Sequence, residues 1–394
     1  MQRSTTEIEN EARWLFTYDA KILKEVCSIF YADLYDDISK DIFCAVSETD
    51  ELDDITTSMV IAARESVERK GKRLEPRHYS LQEIVELQKE TFKTIYHAID
   101  EHESPEEEIK RYRKPYKKDT GDYERKSKEK ELLEEMLKSD IVLIGDHHTL
   151  REAKTKMMRY LKRLIGKKDI VLALEMVPSK YQKHLDSYLS GEINEDEFLC
   201  RIKYDETWNF VFEDYKPLIE FAKERGIPVI AINSMPRRKK GRLLERDKRM
   251  AEAIANLDDG KLAYVVVGDW HLASNHLPRE LKKRLRGKRI LRVFQNSEDI
   301  YWNYTIKTKR RPGIVKISED SYCVFSANPL LKLDSYLSFR EEEDCFFDDD
   351  IPEDVKCHIF PKRRKNYRKQ LKTFMRIVSK LAGLNGEHSR LLHV

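Results

Sequence analysis

From residue 131 to residue 295 the chain alternates between two kinds of text, and that alternation constrains its fold more than any other feature. Five short runs are apolar and rich in β-branched residues: Asp140–Gly145, Asp169–Glu175, Ile227–Asn233, Leu262–Gly268 and Arg289–Gln295. A strand with one wet face alternates apolar and polar residues, whereas an unbroken apolar strand is covered on both faces. Amphipathic helices lie between the runs. "REAKTKMMRYLKRLIGKKD" has Gly166 near its end, "YKPLIEFAKERG" ends on Gly226, and "LLERDKRMAEAIANLDDG" leads into the fourth run. Strands alternating with helices predict an α/β fold, a mostly parallel sheet with helices on both faces.

The flanks read differently. Residues 1–105 predict a helical N-terminal region, most clearly in "SLQEIVELQKETFKTIYHAIDEH", where apolar residues recur at helical spacing after Ser80 as N-cap. Residues 106–130 are almost wholly charged and read as a linker or an exposed helix. The α/β domain is expected over 131–340. In the tail, 341–394, the acidic run "EEEDCFFDDD" precedes "PKRRKNYRKQLKTFMRIVSK", which has no acid. Leu371, Phe374, Met375, Val378 and Leu381 fall on one face of a helix there. Such a basic amphipathic helix at 361–380 can touch an anionic membrane weakly, or pack on its own protein with the acidic run as charge partner.

Composition excludes several classes. A chain of 394 residues, 40% hydrophobic and 37% charged, is neither disordered nor membrane-embedded, and a net charge of +3 gives no argument for nucleic acid. No apolar run spans a bilayer, and the first residues hold no signal-peptide h-region. The six cysteines form no CxxC pair, so neither a disulfide framework nor a structural zinc site is expected. The reading is a cytoplasmic protein with reduced thiols, peripheral to a membrane if its tail binds one.

Chemistry collects at the strand ends, where parallel α/β sheets bind ligands. The first run ends in Gly145-Asp146-His147-His148 and the fourth in Gly268-Asp269-Trp270-His271, the same Gly-Asp-X-His frame twice. The second ends in Glu175 and the third in Asn233. The glycines suit a sharp turn that aims the next side chains at the crevice. Two imidazoles and a carboxylate can hold a divalent metal or act as acid, base and orienter. The Gly-X-X-His spacing selects His148 over His147. Structural alternatives exist: Glu175 could pair with a local Arg, and Asp146 and Asp269 could bond backbone amides at the turn. His184 and His276 read as structural.

This order of Gly-Asp-X-His, strand-end Glu and second Gly-Asp-X-His resembles the ChaN-like domain of the haem-binding uptake and Tiki superfamily, a group related to TraB-like and erythromycin-esterase-like proteins. The resemblance runs over about 131–340, from "SDIVLIGDHHTL" through "LALEMVPSKYQKHLDSYLSGEI" to "VVVGDWHLASNHLP" and "QNSEDIYW". ChaN-like sequences usually carry Gly-Glu-X-His in the first motif, so Asp146 is a shorter acid than the pattern has. The resemblance implies that His148, Glu175 and His271 line the main crevice, with Asn233, Arg246 and Asp247 beside it and Tyr215 as a wall. It also implies haem or an iron compound as ligand, held by a pair of protomers in a homodimer.

Two functions of different class follow. One is binding of haem or another small molecule, without covalent attachment because no CxxCH is present. The other is hydrolysis of a peptide or ester. There a metal-bound or His-activated water attacks, Glu175 serves as ligand or base, and Arg246 holds the developing charge. As a metal site the ligands would be His148, Glu175 and His271. No Gly-X-Ser-X-Gly elbow supports a serine nucleophile.

Overall fold

All five apolar runs are strands of one sheet in the computed structural model, which describes residues 107–234, 242–257, 260–308 and 310–346 together with Lys89, Phe92, Lys93 and Tyr96. Those four single residues are the described part of the N-terminal region, and all are helical. The amphipathic segment 361–380 lies outside the described residues. Residues 99–340 make up one compact unit.

In chain order the elements are α1 (Glu107–Asp119), β1 (Arg125–Lys126), α2 (Glu129–Lys138), β2 (Ile141–Asp146), α3 (Arg151–Leu164) and β3 (Ile170–Pro178). Then come α4 (Gln182–Ser190), α5 (Glu195–Ile202), α6 (Tyr204–Thr207), α7 (Phe212–Glu224), β4 (Val229–Asn233) and α8 (Arg242–Ala255). The last are β5 (Leu262–Gly268), a 3-10 turn (Asp269–Leu272), α9 (Leu277–Arg284), β6 (Ile290–Gln295), α10 (Glu298–Thr308), β7 (Ile314–Ser318), β8 (Ser321–Val324) and α11 (Pro329–Phe346).

The strand order is β1-β7-β8-β6-β2-β5-β3-β4. Every pair from β8 to β4 is parallel, and β7 runs antiparallel to both its neighbours. The fold is therefore α/β with a mostly parallel sheet. Each residue of β2, β3, β5 and β6 is buried, which requires cover on both faces and explains why these strands read as continuous apolar text. Gly166 and Gly226 follow α3 and α7 with φ of 76° and 61°, the left-handed conformation that ends a helix at little cost for glycine.

Two points of topology set up the site. First, β5 inserts between β2 and β3, although the chain makes it after β4. The ends of β2, β5 and β3 thus lie side by side, all facing one way. Second, the β3–β4 pairing slips: Leu174 sits opposite Ala231, but Pro178 is opposite Asn233. The surplus residues from Glu175 onward form a bulge, which re-aims a side chain at the end of a strand.

The segment expected as a linker or exposed helix is a helix, α1, and it is not wholly exposed. Tyr112 and Tyr116 are buried, and α1 packs against the 3-10 turn that follows β5.

Candidate functional site

His148 stands just beyond β2. Its Nδ1 is 2.8 Å from Asp146 Oδ2, to which the Tyr215 hydroxyl donates at 2.5 Å. Lys154, on the buried face of α3, lies 3.0 Å from Asp146 Oδ1 and donates to the carbonyls of His147 and His148. Burial alone would push the Asp146 carboxyl up. The Lys154 ammonium and the bonds from His148 and Tyr215 outweigh that and hold it below the ordinary carboxylate range. Trp208 and Phe210 rest on the imidazole at ring distances of 4.6 and 4.8 Å. The side chain is still 24% exposed.

His271 lies in the 3-10 turn after β5 and is nearly closed off. Its Nδ1 faces Asp247 Oδ1 at 2.7 Å and the Tyr112 hydroxyl at 2.8 Å, and that hydroxyl donates to Asp247 Oδ2 at 2.8 Å. Its Nε2 is 3.3 Å from Glu175 Oε1. Burial favours the neutral ring, but Glu175 and Asp247 prevail and raise its pKa to about 9. At neutral pH His271 is an imidazolium.

Glu175 joins the two halves. The β3 bulge turns its carboxylate across the end of β5, where Oε2 accepts the Gly268 amide at 2.6 Å. Oε1 accepts from Arg246 at 2.5 Å, and Arg246 also donates to Asn233 Oδ1 at 3.1 Å. Against the upward push of burial, His271 and Arg246 keep Glu175 ionised, well below its usual range. Among the described residues, the buried donors Asn233 Nδ2 and Arg246 Nε have no hydrogen-bond partner.

Glycines in the two frames are there for space rather than for turning, because neither Gly145 nor Gly268 has a positive φ. A Cβ on Gly145 would fall 1.8 Å from Asp269 Oδ1, and one on Gly268 would fall 3.0 Å from His148 Nε2. His148 Nε2 and Glu175 Oε2 therefore both lie against the end of β5. A narrow gap there, with no room for a water molecule, is lined by Asp146, His148, Glu175, Met176, Trp208 and Tyr215 among others.

The structure thus gathers His148, Glu175 and His271, with Asp146, Tyr215, Arg246 and Asp247 in contact with them and Asn233 joined through Arg246. The two frames, identical in the sequence, differ in their contacts. Asp146 holds the histidine of its own frame, but Asp269 does not hold His271. It is buried against Gly145, where burial lifts its pKa to about 7. Asp247 from α8 serves His271 instead. Nor does Asp146 bond the turn's amides. His276 stacks on Tyr112 at 3.8 Å and bonds the Trp270 carbonyl, a structural role.

Sequence reasoning passed over Lys154, Trp208, Phe210 and Tyr112. A lysine on the apolar face of α3, between Ala153 and Met157, was a readable signal for the first. Tyr112 and Tyr116, an i,i+4 aromatic pair in charged text, were one for the last.

A divalent metal does not fit this donor set. Among the described residues no group of three or more His, Cys, Asp or Glu is arranged to hold one. His271 Nε2 and Glu175 are turned on each other as an ion pair, and Arg246 shares the same oxygen. A haem does not fit inside the crevice either. The crevice has no room even for a water molecule, and the hydroxyls of Tyr112 and Tyr215 are already committed to carboxylates.

Fold and site together define a parallel α/β domain with a buried carboxylate–imidazole cluster at its strand ends. Residues 132–245 match the family described as haem-binding uptake, Tiki superfamily, ChaN. The resemblance seen in the sequence is correct over this segment, which holds His148, Glu175 and Asn233 and stops one residue before Arg246. Among solved structures, ChaN of Campylobacter jejuni, described with cofacial heme binding, is similar at 18% identity and a TM-score of 0.38, over 45% of this chain and 89% of that one. RRSP, a MARTX toxin effector domain from Vibrio vulnificus, is similar at 15% identity and 0.34, over 71% and 57%. The C-terminal region of Pasteurella multocida toxin, described with a thiol-protease-like catalytic triad, is similar at 13% and 0.30, over 54% and 27%. No curated protein matches the sequence.

Proposed function

We propose that the chain is a hydrolase of an ester or amide, working through acid–base chemistry at His148 and His271. One observation carries this reading: each imidazole is fixed at Nδ1 by an aspartate, with His271 Nε2 3.3 Å from Glu175 Oε1 and His148 Nε2 against Gly268, whose amide Glu175 accepts. An aspartate at Nδ1 sets the tautomer and orientation of a histidine that exchanges protons at Nε2.

The two imidazoles take different parts. His148 is the partly exposed one and is the general base, drawing a proton from a water at its exposed edge. His271, an imidazolium at neutral pH, is the acid that meets the leaving group. Arg246, with Asn233 Nδ2 beside it, offers hydrogen bonds to a carbonyl oxygen as it gains charge. Among the described residues the side-chain hydrogen-bond partners of both imidazoles are carboxylates and tyrosine hydroxyls, so water rather than a serine or cysteine is the nucleophile.

The test is turnover of a panel of p-nitrophenyl esters and fluorogenic peptides by the full-length protein and by His148→Ala. Cleavage of one class, lost in the variant, is expected. No turnover of either class, or turnover that survives the substitution, overturns the reading.

Haem binding is the second reading, favoured by the family matched over residues 132–245. It places the ligand at the exposed edge of His148 rather than inside the crevice. Titration with hemin would then give a Soret band that His148→Ala abolishes.

A further inference from the structure

We propose that Tyr112 is a positioning residue, whose hydroxyl fixes the His271 ring and the Asp247 carboxylate in one arrangement and thereby makes α1 part of the functional unit. The proposal rests on the role given to His271 above. It concerns a residue outside the segment that matches the family, which begins at residue 132.

The geometry is closed on every side. One hydroxyl touches both partners at 2.8 Å, donating its proton to Asp247 Oδ2 while its oxygen faces His271 Nδ1. The phenol ring is clamped in turn, stacked on His276 at 3.8 Å with the planes 6° apart. His276 is anchored by the Trp270 carbonyl, one residue before His271. Burial, with Asp247 beside it, raises the phenol well above its ordinary pKa, so the group stays a donor.

Helix α1 makes two further attachments around the same place. Glu108 Oε1 accepts the amide of Leu243 at the start of α8, the helix that carries Arg246 and Asp247. Asp119 accepts the Ser274 amide at 2.7 Å and pairs with Arg292 at 2.7 Å, which ties the far end of α1 to the loop after His271 and to β6. A helix that only covered the sheet would need apolar contacts. This one places a side chain at its start, middle and end on the elements that hold His271.

The experiment is NMR on the full-length protein labelled with ¹⁵N-histidine, following exchange of the His271 Nδ1 proton with water. Tyr112→Phe keeps the ring and its stacking and removes the hydroxyl. It should speed that exchange by about tenfold or more, as expected for loss of one hydrogen bond in a charged network. The His148 Nδ1 proton, held by Asp146, should not change. A folded variant with unchanged exchange at His271 overturns the proposal. So does faster exchange at both histidines, which is what general loosening gives. In the unmodified protein a nuclear Overhauser contact must join the His271 Nδ1 proton to the Tyr112 ring, and its absence overturns the proposal even if the variant does not fold. None of these readouts needs turnover. A selective effect at His271 in a protein that cleaves nothing supports the positioning role and counts against the hydrolase, whereas cleavage without the effect does the reverse.

Discussion

Two Tyr–Asp–His groups face each other across the end of β5, and they are built from the same parts with opposite surroundings. Tyr215, Asp146 and His148 stand beside a buried cation, Lys154. Tyr112, Asp247 and His271 stand beside a buried anion, Glu175. The aspartate bond is nearly the same length in both, 2.8 and 2.7 Å. What separates the imidazoles is therefore the charge behind them and their exposure, 24% against 7%. Like components thus stand in unlike electrostatic surroundings.

The hardest blow to this contrast is Lys154→Met. It leaves Asp146 buried without its cation and should destabilise the fold by about 3–5 kcal/mol in urea unfolding. Arg246→Met should cost clearly less, because Glu175 keeps His271 and the Gly268 amide. Equal losses would mean that the two halves do not differ in how their charges are held. In turnover, His148→Ala and His271→Ala should each lose about 10²- to 10⁴-fold, the range of one general acid or base. The losses should be followed as a pH–rate profile. The alkaline limb, near pH 9 from the raised His271 value, should vanish in His271→Gln. An alkaline limb that persists assigns the acid elsewhere.

The matching glycines sharpen the comparison at smaller scale. Gly145→Ala drives a methyl into Asp269 and should cost about 1–3 kcal/mol of stability. Gly268→Ala meets the far end of a movable imidazole, so its effect should fall on turnover with little change in urea midpoint. The reverse pattern would put the strain in the wrong frame. The smallest effect is a slope. His271 has its pKa raised on folding, so its contribution to stability is complete below the ordinary histidine value of about 6.5 and is lost as pH rises through about 9. Urea midpoints measured across that window should decline, and should do so less in His271→Gln.

Much of this arrangement was legible in the chain. The buried strands declared themselves because burial on both faces leaves no polar position, and the strand-end rule then pointed to His148, Glu175 and His271. β1, β7 and β8 were not legible. They are two to five residues long, and the exposed β1 and half-exposed β7 carry no apolar run. The partner of His271 was not legible for a physical reason. Two identical frames read alike, but side-chain pairing is settled by what tertiary packing brings near. Asp269 packs under Gly145, and α8 supplies the carboxylate to His271.

The late insertion of β5 bears on how the molecule comes into being. Strands β2 and β3 leave the ribosome long before β5, yet neither bonds the other in the finished sheet; each bonds β5. Until about residue 268 has been made, both present unpaired edges, the condition in which nascent chains aggregate or pair wrongly. Their union is a non-local event that must wait for loop closure over more than a hundred residues, and slow folding follows from such contacts. The turn directly after this late strand carries His271, so the strand that joins β2 to β3 and the second imidazole are made together.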